Sequence, residues 1–331
     1  WPTLNTEISD LQMPEVICSY MGLESPLVRQ FAGGTIPIKD ADNRQHLANC
    51  DPYGINLGRA SLPGGDNTIC HDRIGSELFN HMEDARIPIQ LEPKTIFESL
   101  IPRSRIKAKK LRAIKPDAII DVALPAVATG VGEKRGAPRP RRSLFVDIKT
   151  IHRGTSCYAK RTAEQGGAVR AREARVWPEY LDHARTIDRK CGTPGSKLIE
   201  QRLRSYSETR GLVFGAYGEA TADVHDLITA AAEAQARLQW RQAGARSHKE
   251  VRAYAIRNIR RRVGVTAVKE MAQHTIARMP LINVPRQAVE DAMANRRRQW
   301  NGQGATTPNI WSRTSNHVDF YCYQQAPIVT A

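Results

Sequence analysis

The sequence lacks several features that would identify common classes of protein. No stretch approaches the roughly 18 consecutive apolar residues that cross a bilayer, so we expect no membrane partner. No GxGxxG follows an apolar strand pattern, and no GxxxxGKS/T motif occurs. These absences disfavour a metabolic enzyme with a nucleotide cofactor.

Cysteine is scarce and irregularly placed. The chain has six cysteines, with no CxxC pair and no regular framework. This usage favours isolated reduced thiols over disulfides and predicts an intracellular, reducing compartment, either nuclear or cytoplasmic. The spacing of Cys50, Cys70 and His71 is too irregular to indicate a metal site.

Acidic residues are outnumbered by basic ones. The chain contains 34 Asp and Glu against 49 Lys and Arg, and the net charge is +15. A polyanion is the natural partner, because each phosphate that a cationic side chain neutralises releases condensed counterions. Most of the cations are arginines, whose planar guanidinium binds phosphate through two hydrogen bonds. A G·C-rich genome that encodes arginine often accounts for this usage equally well.

The length of 331 residues fits one large domain or two modest ones. Hydrophobic residues make up 41% of the chain and charged residues 25%, which excludes wholesale disorder. Composition and periodicity divide the chain into four parts. They are an irregular N-terminal segment (1–69), a core (70–220), a helical appendix (221–279) and a loop-rich basic tail (280–331).

Apolar spacing predicts an α/β (α+β) fold, in which a helix, three strands, a helix and a strand precede a purely helical region. The basic run 103–112 is predicted as a mobile connection that either contacts phosphate or is simply solvated. The predicted helices cover 72–86, 159–189 with an interruption at Trp177-Pro178, 197–205, 223–243, 249–262 and 265–278. The predicted strands cover 87–93, 117–124, 143–151 and 212–216.

One pattern carries chemistry: an acidic residue, one spacer and a lysine inside an apolar strand. Asp147 and Lys149 stand in the run 143–151, where the period of two residues sends both side chains to the same face. Charged groups flanked by apolar residues need a partner, a metal or an open cleft. Asp117 begins the preceding strand and comes beside Asp147 if the two strands pair. A divalent cation with oxygen ligands relieves the repulsion between two such carboxylates.

These residues resemble the PD-(D/E)xK nuclease superfamily. The resemblance is carried by KPD at 115–117 and VDIKT at 146–150, in the element order helix, three strands, helix, strand. It implies a restriction-endonuclease-like αβββαβ core with a mixed central sheet, followed here by the all-helical appendix. It also implies that Asp117 and Asp147 bind Mg²⁺ or Mn²⁺ together with the carbonyl of Ile148, and that Lys149 is the catalytic cation. The expected reaction is hydrolysis of phosphodiester bonds, with DNA as the favoured partner.

The resemblance implies further site residues. Members take an acid from the first helix, and Glu77 is our choice, with Asp72 as the alternative; His71 and Asp72 are equally compatible with a helix N-cap. His152, directly after the DxK strand, is expected to be a surface histidine rather than a general base. Tyr158, Lys160, Arg161 and Gln165 are candidates on the helix that follows. The expected nucleic-acid-binding residues are Arg135, Arg139, Arg141, Arg142 and Arg161.

A second, looser resemblance points to an origin. The segments HDRIGSEL, KPDAII, VDIKTIHRGTS and RGLVFGAYGEA are similar, in this order, to accessory proteins of eukaryotic mobile elements. This similarity implies that a mobile element encodes the chain, and it supplies no substrate.

The same residues are compatible with three further hypotheses. In one, the two acids and the lysine form a structural ion pair at a sheet edge. In another, the fold is kept without activity, and the protein is a basic nucleic-acid-binding module. In a third, it is an assembly protein of a virus or mobile element, whose arginines neutralise packaged nucleic acid. The helical appendix is expected to serve binding or dimerisation, which makes a homodimer a further expectation.

Overall fold

The computed structural model describes residues 7–39, 45–60, 66–93, 96–122, 143–154, 158, 167–193, 195, 197–206, 208–279 and 282–283. Helices and strands alternate along this part of the chain. The helices are α1 (Gln12–Met21), α2 (Ile55–Arg59), α3 (Asp66–Asp84), α4 (Arg103–Ala108), α5 (Gly167–Cys191), α6 (Leu198–Tyr206), α7 (Ala222–Gln239) and α8 (His248–Arg278), with a 3-10 turn at Val28–Phe31. The strands are β1 (Thr35–Lys39), β2 (Gln45–Asn49), β3 (Ile89–Leu91), β4 (Ala118–Asp121), β5 (Ser143–Thr150) and β6 (Arg210–Phe214).

A four-stranded mixed sheet in the order β3-β4-β5-β6 forms the centre of the fold. The pairs β3/β4 and β4/β5 are antiparallel, whereas β5 and β6 run parallel with Ile148 opposite Leu212. A parallel pair needs a long crossover connection, which is supplied here by α5 and α6. The mixed α/β class expected from periodicity is therefore confirmed.

Helices cover both faces of this sheet. Alternate residues of β5, Leu144, Val146 and Ile148, pack into one apolar cluster with α3, α7 and α8. Phe145 faces the opposite way and packs with side chains of α5 and α6. Because both faces are buried, the apolar residues of β5 run almost without interruption, as in any strand inside a three-layer fold. Asp147 and Lys149 share the face of Phe145, which is the α5 face.

The helices after the sheet belong to the same core. Side chains of α7 and α8 pack with those of α3 and the sheet, so the region expected as an appendix completes one layer of the fold. Sequence periodicity predicts two helices, 249–262 and 265–278, but α8 runs unbroken through Gly264. Burial of Ile259, Val263 and Ala267 outweighs the roughly 1 kcal/mol that a helical glycine costs. Helix α5 likewise continues through Pro178, where the sequence predicts an interruption.

The segment before α3, expected to be irregular, is a small folded unit. The strands β1 and β2 form an antiparallel pair, and α2 follows it. Its core joins Ile36, Ile38 and Leu57 to Met279 and Ile282, which come directly after α8. The elements are so short that no sequence period is sustained, and contacts with distant residues hold them in place. Among the helices of the described residues, none pairs the length with the apolar content that a bilayer crossing requires.

Candidate active site

The first group of the site lies where β4 begins beside β5. The amide of Asp117 donates a hydrogen bond to the carbonyl oxygen of Val146 at 3.0 Å, which continues the strand pairing by one residue. The amide of Ile148 in turn donates to Oδ2 of Asp117 at 2.6 Å. These two bonds hold the Asp117 carboxylate against the segment of β5 that carries the DxK residues.

The second group is an ion pair along β5. Nζ of Lys149 lies 2.6 Å from Oδ2 of Asp147. The Asp147 side chain is only 5% exposed, whereas that of Lys149 is 32% exposed. The pair therefore runs from a buried carboxylate to an ammonium group that solvent and a ligand can reach.

Helix α5 supplies a third element. The hydroxyl of Tyr180 donates to Oδ1 of Asp147 at 3.0 Å and lies 3.3 Å from the carbonyl oxygen of Lys115. Tyr180 therefore orients a carboxylate that is 33 positions away in the sequence. The sequence prediction missed it, because no local spacing relates this residue to the DxK pattern.

Helix α3 supplies a fourth element, His71. Its Nε2 lies 3.0 Å from Oδ2 of Asp117, and its Nδ1 lies 2.8 Å from Oδ1 of Asp72. The ring thus bridges two carboxylates. The N-cap interpretation of His71 and Asp72 is wrong, because α3 begins at Asp66 and places both residues in its second turn.

Glu77, the predicted acid of α3, points towards α8 and not towards the candidate site. Its Oε1 lies 2.8 Å from Nε of Arg262 on α8 and 3.2 Å from Nε2 of His81. The structure therefore does not bring Glu77 to Asp117 and Asp147. A helix that packs on two sides has more than one polar edge, and Glu77 lies on the edge that faces α8. Asp72, the alternative acid of the same helix, is the one that reaches the site through His71.

The pKa values of Asp117 and Asp147 are shifted in opposite directions. Burial pushes the pKa of Asp117 upwards, but the hydrogen bond and charge of His71, the Ile148 amide and Lys149 outweigh burial and lower it overall. For Asp147 burial dominates, and the charge of Asp117 adds to it, so the pKa is raised despite Lys149 and Tyr180. The two carboxylates are thus shifted in opposite directions, with the pKa of Asp117 below its ordinary value and that of Asp147 above it.

His71 is held in its charged form. Burial alone would lower its pKa, but the hydrogen bonds and charges of Asp117 and Asp72 raise the pKa to about 9. At neutral pH the site therefore contains an imidazolium ion between Asp72 and Asp117, next to the Asp147–Lys149 pair. Anionic and cationic groups alternate across the site.

The remaining predicted residues fall into two groups. His152 is partly buried rather than freely exposed, and its ring stacks on that of His274 with centroids 4.0 Å apart. Tyr158 donates a hydrogen bond to Glu219, away from Asp147. Other predicted residues lie outside the described residues, namely Arg135, Arg139, Arg141, Arg142, Lys160, Arg161 and Gln165.

The chemistry of the donor set suits a hard divalent cation. Asp117 and Asp147 offer carboxylate oxygens, whereas both ring nitrogens of His71 are engaged by Asp72 and Asp117 and are not free to bind a cation. At present these donors contact one another, Lys149 and backbone amides. Within the part of the chain that the structure describes, no group of three or more His, Cys, Asp or Glu side chains is arranged to hold a metal ion. A cation between Asp117 and Asp147 would replace contacts that His71 and Lys149 now make.

Comparisons of the chain with protein families, with curated proteins and with solved structures return no match.

Proposed function

We propose that the protein is a metal-dependent nuclease that hydrolyses phosphodiester bonds, with DNA as the favoured substrate. One observation carries the proposal: the Asp117 carboxylate is held against β5 by the Ile148 amide, beside the Asp147–Lys149 pair. The order is α3, β3, α4, β4, β5, α5, α6, β6, with β5 and β6 parallel. Apart from the short helices α4 and α6, this order also resembles the αβββαβ core of PD-(D/E)xK enzymes. Sequence pattern and fold therefore support the same family.

Each side chain of the site has a separate role in such a reaction. Hydrolysis forms a bond from a water oxygen to phosphorus and breaks a phosphorus–ester oxygen bond, while negative charge builds on the phosphoryl oxygens. Lys149 is exposed enough to offset that charge. Asp117 and Asp147 would hold Mg²⁺ or Mn²⁺, and a bound ion supplies Lewis-acid polarisation and lowers the pKa of a coordinated water. Tyr180 and His71 fix the two carboxylates in place.

The test is cleavage of DNA by the full chain. Purified protein with Mg²⁺ or Mn²⁺ is expected to cleave plasmid and linear DNA, and Asp147→Asn and Lys149→Met are each expected to remove that activity. Lys115→Met is the matched control, since Lys115 lies near Asp117 but pairs with Glu92 at 2.5 Å. Circular dichroism verifies that each variant is folded. Absence of cleavage by the wild type, or equal loss in the control, would refute the proposal.

A second candidate is a non-catalytic nucleic-acid-binding or assembly protein. It is favoured by the pairing of the charges at the site, where Lys149 neutralises Asp147 and His71 neutralises Asp117. In that case DNA binds with a steep salt dependence and without cleavage. An assembly protein would also form large symmetric particles, which size-exclusion chromatography detects, and would not respond to Asp147→Asn.

A further inference from the structure

The basic run 103–112 is an ordered surface feature. Helix α4 covers its first part, and the amides of Lys109 and Leu111 both donate to the carbonyl of Ile106 in the turn that follows. The Ile106 side chain is buried, and Leu111 packs into the same apolar cluster on the α5 face of the sheet. Where the sequence predicts a mobile connection, the structure has a short helix and a turn, and two apolar side chains anchor the run. We call residues 103–112 the basic ridge.

The cations of the basic ridge are exposed, and one of them forms an ion pair. Arg103 pairs with Glu98 at 2.9 Å. For the other cations of the ridge, no ion pair occurs within the described part of the chain. These exposed residues are Arg105, Lys107, Lys109, Lys110 and Arg112. Like charges on so short a run repel one another, and a bound polyanion relieves that repulsion.

The ridge is tied to the candidate active site through α5. His183 donates a hydrogen bond from Nε2 to the carbonyl oxygen of Arg112 at 2.7 Å. One turn earlier on the same helix, Tyr180 lies 3.3 Å from the carbonyl oxygen of Lys115 and 3.0 Å from Oδ1 of Asp147. The end of the ridge and the buried carboxylate are therefore fixed to neighbouring turns of one helix.

We propose that the basic ridge binds the phosphate backbone of a nucleic acid and leads it to the candidate active site. The anchored backbone presents several exposed cations close together, and each phosphate that they contact gains free energy from released counterions. The idea that the nucleic acid continues from the ridge towards Asp147 rests on the proposed function. The idea that the ridge binds nucleic acid does not. An acidic protein is the competing partner, and DNA-binding measurements on charge-reversed variants separate the two.

The experiment compares two triple variants of equal charge. One reverses the ridge, Lys107→Glu, Lys109→Glu and Arg112→Glu. The other reverses three exposed arginines of α2 and α5 that form no ion pair among the described residues, Arg59→Glu, Arg170→Glu and Arg175→Glu. Binding of a fluorescent double-stranded DNA oligonucleotide is measured by anisotropy across a salt series, in the Asp147→Asn background so that no cleavage interferes. Each variant is also tested on a small p-nitrophenyl phosphodiester.

The ridge variant is expected to bind DNA roughly tenfold to a hundredfold more weakly, with a salt slope smaller by about three. The control variant in α2 and α5 should retain most of its affinity, and, with Asp147 restored, both triple variants should cleave the small phosphodiester like the wild type. Equal losses in the two variants would show that net charge alone governs binding and would overturn the proposal, as would unchanged binding by the ridge variant. If no protein cleaves DNA or the phosphodiester but the ridge variant alone loses affinity, DNA binding by the ridge is supported and the nuclease proposal is refuted.

Discussion

The hydroxyl of Tyr180 on α5 and Oδ1 of Asp147 on β5 are 3.0 Å apart, so a helix and a strand meet at one carboxylate. Asp147 is only 3% exposed, and burial raises its pKa above the ordinary range. The hydrogen bond from Tyr180 works against burial, because it favours the ionised carboxylate. Tyr180 is therefore a positioning residue, and under the proposed function it would help to keep Asp147 ionised for binding a metal.

Tyr180→Phe removes that hydrogen bond and is expected to slow DNA cleavage about tenfold, with a loss of roughly 1 kcal/mol in the free energy of unfolding. Since the pKa of Asp147 rises further, the acid limb of the pH–rate profile should move to higher pH. Tyr158→Phe is the control, because Tyr158 is a half-buried tyrosine whose hydroxyl contacts Glu219 instead. An acid limb that shifts equally in both variants would contradict the role of Tyr180.

Glu77→Gln tests whether Glu77, which points to α8, has a structural rather than a catalytic role. The change weakens the contacts with Arg262 and His81, so the free energy of unfolding should fall by about 1 kcal/mol. The rate of cleavage per folded molecule should not change. Urea unfolding and single-turnover kinetics measure the two quantities. A large loss of rate in a fully folded variant would return Glu77 to the catalytic residues.

Gly211→Ala tests the contact between β6 and α5. A Cβ at position 211 would lie 2.7 Å from Cγ2 of Val176 and 3.3 Å from Cα of Glu173, so the helix must move. We expect a destabilisation of about 1–3 kcal/mol, as for other overpacked cores, and weaker cleavage because α5 carries Tyr180. Gly264→Ala in α8 is the opposite case: nothing lies within 4 Å of its Cβ, and the melting temperature should rise.

Stability should fall on the acid side of neutrality because of His152. Burial, followed by the charges of Arg278 and Arg153, lowers the pKa of His152 to about 4. The unfolded chain takes up this proton near pH 6.5 and the folded chain only near pH 4, so the free energy of unfolding declines as the pH falls between these values. For a shift to about 4 the loss amounts to about 3 kcal/mol. The ring of His274 stacks on that of His152, and burial lowers the pKa of His274 as well. Its protonation therefore adds to the loss of unfolding free energy at acid pH.

His152→Phe keeps an aromatic ring against His274 and removes one titrating group. Its unfolding free energy, from urea titrations between about pH 4.5 and 7.5, should depend less on pH than that of the wild type. His46→Phe, at an exposed position of β2, should leave the dependence unchanged. If His152→Phe shows the full wild-type dependence, His152 is not the group responsible.

The sequence could predict the part of the site that depends on local periodicity. Asp147 and Lys149 share a face because a strand alternates, and Asp117 meets them because its strand is the neighbour of β5. His71 and Tyr180 could not be predicted in the same way. They reach the carboxylates from helices 46 and 33 positions away, at distances that only the packing of the helices on the sheet determines.

In the fold, too, the sequence predicts what depends on local patterns and not what depends on tertiary packing. The strands follow from their apolar runs, with β4 and β5 inside the predicted ranges. The continuity of α8 could not be predicted, because the local preference of Gly264 for a break competes with tertiary contacts that the sequence does not display. The basic ridge is a similar case: its charges favour a solvated loop, and only the burial of Ile106 makes it a helix.

Helix α8 contributes to two apolar clusters at once. Ile259, Val263 and Ala267 pack into the main core, and Met279 and Ile282 continue from its end into the core of the N-terminal unit. Opening of the small unit would thus strip the last turns of α8 of their contacts, and hydrogen exchange in those turns should report on both units. We therefore expect the N-terminal unit and the main core to unfold together, with α8 as the element that couples them.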